Sequence, residues 1–218
     1  MNAGTGQDRV GRQGQPEHSA AEPTEQFERF FRELTGYEPF PWQKALYERL
    51  VEGDIPARCD IPTGLGKTAV AAVWLIALAH RPDILPRRLV YVVNRRTVVD
   101  QTTQEVERYR EKLQEPALER LRASLESLCA LPLRDGEPPL AISTLRGQFA
   151  DNHQWSSDPA RPAVIVGTVD MIGSRLLFSG YRIGFRQRPF HAGLLGQDVL
   201  LVHDEAHLEP AFQELLEQ

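Results

Sequence analysis

Apolar residues along the chain fall into short runs separated by polar, turn-forming segments. Two β-rich and almost wholly apolar runs, Arg88–Val93 and Val199–Val202, predict strands that are buried on both faces. The run Ala69–Ala79 is longer and rich in alanine and leucine, so it predicts a core helix. Shorter runs at Leu140–Ile142 and Ala163–Val166 predict two further strands.

Helical periodicity fills most of the intervals between these runs. The predicted helices are Phe27–Leu34 with a stop at Gly36, a helix opened by Pro39–Gln43 that ends near Leu50, Ala69–Ala79, Val98–Lys112, Pro116–Cys129, a helix after Gly167 and Leu208–Leu216. Strands that alternate with helices predict an α/β fold, with a mainly parallel sheet flanked by helices on both faces.

Composition changes this picture only at the chain's start. The first residues, Met1 to about Thr24, contain almost no large apolar side chain, which predicts a disordered leader (1–24) before one domain (25–218). Of the 218 residues, 41% are hydrophobic and 25% charged, as in ordinary globular proteins. The two cysteines lack metal-ligand spacing and fit a reducing cytoplasm, and no apolar run is long enough to cross a membrane. A net charge of −5 excludes a generally basic surface for nucleic acid but not a local basic groove.

The segment Asp60–Thr68 has the pattern of a phosphate-binding loop, and we expect a strand to precede it. Gly64 and Gly66 allow the tight turns that point successive N–H groups at an anion, and the following helix adds its dipole. Lys67 would place a positive charge on the β- and γ-phosphates, and the Thr68 hydroxyl would bind Mg²⁺.

The predicted strand Val199–Val202 leads into a pair of adjacent carboxylates. Asp204 could hold Mg²⁺ through water, and Glu205 could orient the water that attacks the γ-phosphate. Acidic pairs are usually solvated surface residues, so this motif alone would be weak. Together with the loop it favours nucleotide hydrolysis, because the carboxyl ends of parallel strands meet at one edge of the sheet.

Three other features each leave two interpretations open. Gln43 could read adenine, because its amide offers a donor and an acceptor, or it is a surface residue beside a packed tryptophan. Arg95 and Arg96 follow a strand and could hold nucleic-acid phosphate, although bare arginines are more often solvated or ion-paired. The arginine-rich segment Phe178–Pro189 fits either a grip on a nucleic-acid strand or a solvated loop or hairpin.

The Asp204–His207 box and the Pro62–Thr68 loop together resemble the DExH branch of superfamily 2 helicases, whose nucleotide domain has a P-loop RecA-like fold. Further stretches resemble the CRISPR-associated helicase-nuclease of type I systems, closest to its subtype U form. These stretches are Phe40–Gln43, Val92–Gln101, Ser143–Gln148 and Gly167–Arg175. The resemblance covers the chain from about Phe27 to its end. It implies an ATP- and Mg²⁺-dependent translocase on single-stranded DNA, recruited by an RNA-guided surveillance complex and accompanied by a separate HD nuclease.

The resemblance also implies roles for individual residues. The nucleotide contacts fall on Gln43, which would read adenine, and on Thr63, Gly64, Leu65, Gly66, Lys67 and Thr68. The metal ligands fall on Thr68 and Asp204, the catalytic residues on Lys67, Asp204 and Glu205, and the coupling residue on His207. The DNA-backbone contacts fall on Arg95, Arg96, Thr144, Arg146, Thr168 and Ser174.

A motor of this family also needs a second RecA-like domain, whose arginine finger completes the ATP site. A missing finger costs about 10³–10⁵ in rate. Because the sequence stops shortly after the acidic box, the resemblance predicts the first helicase lobe of a longer protein or a truncated gene product. Alone it would bind nucleotide weakly and hydrolyse it poorly.

Three other functions compete with this hypothesis. The nearest is another superfamily 2 translocase of the restriction or repair type. The second is a small P-loop phosphotransferase or signalling switch, which would complete its site within one domain and rarely needs several basic strand ends. The third is a non-catalytic remnant that only binds a partner. Stimulation of ATP hydrolysis by single-stranded DNA separates the motors from the switch. Unchanged nucleotide binding and unchanged cellular interference in a Lys67→Ala variant would favour the remnant.

Overall fold

A computed structural model describes residues 21–145, 154–180 and 183–217 of the chain. The strands are β1 (Arg88–Val93), β2 (Ala141–Leu145), β3 (Ala163–Thr168) and β4 (Val199–His203). The α-helices are α1 (Ala21–Thr35), α2 (Pro41–Val51), α3 (Val70–His80), α4 (Arg96–Lys112), α5 (Glu119–Glu126), α6 (Gln154–Ser157), α7 (Val169–Leu176), α8 (Arg188–Gly196) and α9 (Pro210–Leu216). Single 3₁₀ turns lie at Lys67–Ala69, Pro116–Leu118, Phe185–Gln187 and Ala206–Leu208.

The four strands form one sheet in the order β2-β3-β1-β4, and every strand pair in it is parallel. Val93 of β1 pairs with Thr168 of β3, and Val92 pairs with His203 of β4, so the carboxyl ends of three strands lie level. The predicted parallel α/β fold is therefore confirmed. Residues that follow these strands are brought to a common edge.

Helices cover both faces of the sheet. Alternate residues of β1 point to opposite sides, so that Leu89 and Tyr91 belong to one hydrophobic core while Val90 and Val92 belong to the other. The larger core is formed with α1 to α5 and includes α3, whose residues Ala71–Leu78 are all buried. The second core is formed with α6 to α9. Because both faces are covered, the strand ends are the part of the sheet left open for chemistry.

The strand expected before the phosphate loop is absent from residues 54–66, and this prediction was wrong. Pro56 and Pro62 remove two backbone donors from the segment, and nearly all of its residues are exposed. The edge strand of the sheet on that side is β4. The loop is consequently positioned by α2 and by the turn into α3 rather than by a strand of its own.

Two element boundaries also differ from the sequence prediction. Helix α1 begins at Ala21, so the last four residues of the predicted leader are helical, with Pro23 in the first turn where proline is tolerated. The remainder of that leader lies outside the described residues. Helix α8 begins at Arg188, within the last two residues of the segment Phe178–Pro189, which was interpreted either as a grip on a nucleic-acid strand or as a loop or hairpin. Its Ala192, Leu194 and Leu195 are buried, and α8 packs mainly against α7.

Within the described ranges, no helix is both long and apolar enough to cross a membrane.

Candidate functional site

The phosphate-loop motif leads directly into helix α3. Gly64 and Gly66 have φ angles of 87° and 67°, a left-handed conformation that favours glycine. A methyl group on Gly64 would meet nothing within 4 Å, whereas one on Gly66 would lie 3.3 Å from the Gln43 amide nitrogen. Thr63 and Leu65 lie exposed in the same loop. The two glycines therefore make the tight turns that the motif predicts, and the loop is open to solvent.

Helix α2 holds the loop through two side chains. Trp42 donates its indole N–H to the Leu65 carbonyl at 3.0 Å, and Gln43 donates its amide to the Gly66 carbonyl at 3.2 Å. The Gln43 oxygen also accepts the backbone N–H of Phe40 at 2.8 Å, which caps the start of α2. Gln43 is 2% exposed, so the interpretation of it as a surface residue was wrong. Adenine reading by Gln43 stays a prediction, and the contact made by Trp42 was missed.

The loop lysine lies against the acidic motif from the far end of the chain. Lys67 Nζ is 2.7 Å from Glu205 Oε1 and 4.0 Å from Asp204 Oδ1. Lys67 and Glu205 are 138 positions apart, so only the fold brings them together. Side-chain exposures of 26% for Lys67 and 35% for Glu205 leave the pair open to solvent. The two motifs thus form one charged cluster.

Tyr91, in the middle of β1, connects the metal-ligand candidates. Its hydroxyl donates to Asp204 Oδ2 at 3.1 Å, and the Thr68 side chain lies close to the same hydroxyl. The backbone N–H of Asp204 donates to the carbonyl of Val92 at 2.9 Å, which continues the sheet past the end of β4. Sequence reasoning treated Tyr91 only as a core residue. Its place in a β-rich run gave no signal that the hydroxyl would reach the acidic motif.

The charges of the cluster reinforce one another. The hydrogen bond from Lys67 lowers the pKa of Glu205, and Glu205 raises the pKa of Lys67. Burial raises the pKa of the Tyr91 phenol far above its ordinary value, and the negative charge of Asp204 adds to this. At neutral pH the lysine and Glu205 are therefore ionised, and Tyr91 keeps the proton that it donates.

Glu205 has an unusual backbone conformation. Its φ of 53° and ψ of 41° lie in the left-handed region, which costs about 1 kcal/mol or more for a residue with a Cβ atom. This turn ends β4 and places the carboxylate beside Lys67. His207 follows with its Nδ1 3.6 Å from the other Glu205 oxygen, although its side chain is 70% exposed.

The donor set fits a magnesium nucleotide. The Thr68 hydroxyl and the Asp204 carboxylate supply the oxygen ligands that Mg²⁺ prefers, and they share Tyr91 as a neighbour. Lys67 supplies the charge that a β- or γ-phosphate requires. In the part of the chain that the structure describes, no group of three or more His, Cys, Asp or Glu side chains is arranged to hold a metal ion.

The residues expected to contact DNA are placed unequally. Arg95 and Arg96 lie exposed at the carboxyl end of β1, and neither has an ion pair among the described residues. Thr168 ends β3 at the N-cap position of α7, but its side chain makes no cap hydrogen bond. Ser174 lies half-buried on α7, and its hydroxyl donates to the Met171 carbonyl at 3.3 Å.

The other two predicted DNA contacts are less favourable. Thr144 was expected in the turn after a strand, but β2 extends through Leu145, and the Thr144 hydroxyl is 3.1 Å from that of Thr103 on α4. That position in the turn was wrong, because the strand continues three residues beyond its apolar run. Arg146 lies outside the described residues.

Fold and site together define an α/β P-loop domain of the helicase-like class, with the loop lysine facing the acidic box at the carboxyl edge of a parallel sheet. A family model described as "Type III restriction enzyme, res subunit" (ResIII) matches residues 36–217. The chain belongs to this family. Membership places it among superfamily 2 helicase-like proteins, for which ATPase activity with ATP and Mg²⁺ is general. No curated protein matches the sequence.

Proposed function

We propose that this chain binds ATP with Mg²⁺ between the phosphate loop and the acidic box, and that it hydrolyses ATP to move along single-stranded DNA. One observation carries the proposal, namely the convergence of Lys67 on Glu205 at 2.7 Å and on Asp204 at 4.0 Å. A ResIII domain supplies the class of activity. The cluster supplies the residues that would perform it.

The lysine pair defines how the site accepts a nucleotide. Lys67 exchanges Glu205 for a phosphate oxygen, and this exchange is cheap because a solvent-open ion pair is worth about 1 kcal/mol or less. The exchange releases the Glu205 carboxylate, which then accepts a proton from the attacking water. One rearrangement thus gives Lys67 its contact with phosphate and leaves Glu205 available as a general base.

The remaining groups orient the reaction. Thr68 and Asp204 would hold Mg²⁺, and Tyr91 fixes the Asp204 carboxylate by its hydrogen bond. When bound, Mg²⁺ neutralises charge that develops on the phosphate oxygens. Trp42 and Gln43 on α2 donate hydrogen bonds to the carbonyls of Leu65 and Gly66. These bonds would keep the loop in one conformation around the phosphates.

Exposed basic groups support single-stranded DNA as the track, whereas the Thr168 side chain is buried. Arg95 and Arg96 lie at the same sheet edge as the acidic box, and Thr168 ends the neighbouring strand. Such groups contact the backbone rather than base edges, so the proposal predicts little sequence preference and strong salt dependence.

We further propose a biological role in antiviral defence. In this role the chain is the motor of a CRISPR helicase-nuclease that an RNA-guided surveillance complex recruits. The stretches Phe40–Gln43, Val92–Gln101 and Gly167–Arg175 support it through their resemblance to that family. The match to the restriction-enzyme family favours a second candidate, a restriction-type DNA translocase. Both candidates use the same ATP site.

ATP hydrolysis by the full-length protein, with and without single-stranded DNA, tests the motor function. We expect strong stimulation by DNA and a drop of about 10²–10³-fold in the Lys67→Ala variant, the usual size for removing one preorganised charge contact. The matched control is Lys44→Ala, which removes a lysine paired with Glu28 on the surface of α1 and α2. Absence of stimulation by DNA would contradict the motor function.

A second assay separates the two roles. The full-length protein is given a DNA duplex carrying an R-loop formed by the RNA-guided complex, or the same duplex without that complex. The CRISPR role predicts ATP hydrolysis that depends on the complex. Equal hydrolysis on both substrates would favour the restriction-type translocase.

A further inference from the structure

The segment that runs from within α7 through α8 to just before β4 has an unusual charge pattern for this acidic chain. From Met171 to Gln197 there is no Asp or Glu, although the whole chain carries 30 acidic residues and a net charge of −5. The same segment contains four arginines and four aromatic residues. Arg175 is buried, whereas Arg186 is exposed and Arg188 is half-buried. Such a segment attracts a polyanion, because it has positive charge and no carboxylate that would repel the phosphates.

Three phenylalanines in this segment lie on the surface. Phe185 is 83% exposed, Phe178 is 58% exposed and Phe190 is 46% exposed. Among the described residues of this acid-free segment, the buried aliphatic side chains, such as Leu194 and Leu195, belong to the second core instead. Core packing therefore does not explain why these three positions are aromatic.

Arginines accompany the exposed rings. The Arg188 guanidinium lies 5.9 Å from the centre of the Phe185 ring, within the range of a cation–π contact, and donates to the Ile183 carbonyl at 3.4 Å. Arg186 is exposed and follows Phe185 on the 3₁₀ turn Phe185–Gln187. Neither arginine has an ion pair among the described residues. We call Phe178, Phe185, Arg186, Arg188 and Phe190 the aromatic–arginine surface.

This surface continues from the residues expected to contact DNA. The carbonyl of Ser174 on α7 accepts the backbone N–H groups of Ser179 at 2.8 Å and Gly180 at 2.9 Å. Gly180 in turn accepts the N–H of Ile183 at 3.1 Å, just before the turn that carries Phe185. A chain of backbone hydrogen bonds therefore joins α7, which begins at the edge where Thr168 lies, to the exposed rings.

We propose that the aromatic–arginine surface is a base-stacking site for single-stranded DNA, an inference that rests on the proposed function. Aromatic faces accept any base, and the adjacent guanidinium groups bind the phosphates between bases. The charge pattern favours this ligand over a protein partner, since the segment carries exposed arginine and no acidic residue. The surface extends the DNA path beyond the strand-end contacts.

Binding to two oligonucleotides tests the proposal on the full-length protein. Fluorescence anisotropy is recorded with a labelled oligo-dT strand and with an abasic strand of the same length. For Phe185→Ala with Phe190→Ala we expect weaker binding to oligo-dT, by roughly 5- to 150-fold for each base that no longer stacks, and unchanged binding to the abasic strand. Arg186→Ala with Arg188→Ala should weaken binding to both strands.

Tyr37→Ala is the matched control, since Tyr37 is also a surface aromatic residue, 75% exposed, but lies between α1 and α2. Its binding to both strands should equal that of the wild type. Equally weakened binding to both strands in the phenylalanine variant would overturn stacking, and unchanged DNA binding combined with loss of a protein partner would assign the surface to that partner. Failure of the wild-type protein to bind oligo-dT would instead contradict the proposed function itself.

Discussion

The acidic box and the strand-end arginines lie at the same edge of the sheet but differ in how their charges are satisfied. Lys67 and Glu205 are paired at 2.7 Å, and Tyr91 holds Asp204 at 3.1 Å. Arg95 and Arg96 lie exposed without an ion pair among the described residues. In the first region the Glu205 carboxylate occupies the position beside Lys67 that a phosphate group would take. In the second region the arginine charges face solvent.

This difference indicates two kinds of ligand. A small, highly charged phosphate group needs a few contacts held in fixed geometry, so the site keeps its shape through internal pairs. A polymer backbone passes across a surface and needs charge that stays available. Substitutions in the first region should therefore change catalytic rate, and those in the second should change affinity and its salt dependence.

The largest effect is expected from Glu205→Gln. The amide keeps the shape of the side chain but cannot accept the water proton, so hydrolysis should fall by about 10²–10⁴-fold while ATP binding persists. Single-turnover hydrolysis and equilibrium binding of ATP measure the two quantities separately. Glu214→Gln on α9, a carboxylate that is not an ion-pair partner of Lys67, is the control and should leave both unchanged. Loss of ATP binding together with hydrolysis would contradict a role confined to the chemical step.

The next effect concerns the arginines. Replacing Arg95 and Arg96 with alanine should weaken binding to single-stranded DNA by about tenfold, because exposed ionic contacts are worth up to about 1 kcal/mol each. The slope of log affinity against log salt should flatten by about 0.7 for each phosphate that the variant no longer neutralises. Arg108→Ala is the control, since Arg108 lies about 18 Å further along α4 and is paired with Glu105. An unchanged salt slope would remove these two residues from the DNA interface.

A smaller change is expected from Trp42→Phe. This substitution keeps an aromatic ring but removes the indole N–H that donates to Leu65. One hydrogen bond contributes about 0.5–1.5 kcal/mol, so ATP should bind roughly 2- to 10-fold more weakly. Isothermal titration with ATP measures this, and Tyr37→Phe, an exposed aromatic just before α2, serves as the control. An unchanged ATP affinity would show that the loop keeps its shape without this hydrogen bond.

The smallest effect concerns stability and pH. Because Lys67 lowers the pKa of Glu205 in the folded protein, the pair stabilises the fold fully above about pH 4.5, the ordinary value for glutamate. That contribution disappears as the pH falls through the lowered pKa. It should stay below about 1 kcal/mol, since the Glu205 side chain is 35% exposed. Urea unfolding of the wild type and Glu205→Gln should show a constant difference above about pH 4.5 that shrinks as the pH falls further.

Several elements could be predicted from local pattern because one strong signal dominated each. Strand β1 has the predicted bounds, and the buried helix α3 follows the loop as its apolar run requires. Helix α8 was missed because Gly193 and Gly196 lower the helix propensity of this short segment. Its packing against α7 overrides that weak propensity. The prediction of a strand before the phosphate loop was wrong for the opposite reason. It relied on the motif and gave too little weight to Pro56 and Pro62.

By itself the sequence determined the residue types that this chemistry requires, the positions of β1 to β4 along the chain, and the polar residues that follow β1 and β4. These follow from short-range patterns of hydrophobicity, glycine and charge. Only the tertiary structure decided that Lys67 lies against Glu205, that Tyr91 reaches Asp204, and that Trp42 holds the loop. Each of these interactions joins residues from distant segments, and their geometry depends on how helices pack on a sheet, which no local pattern encodes.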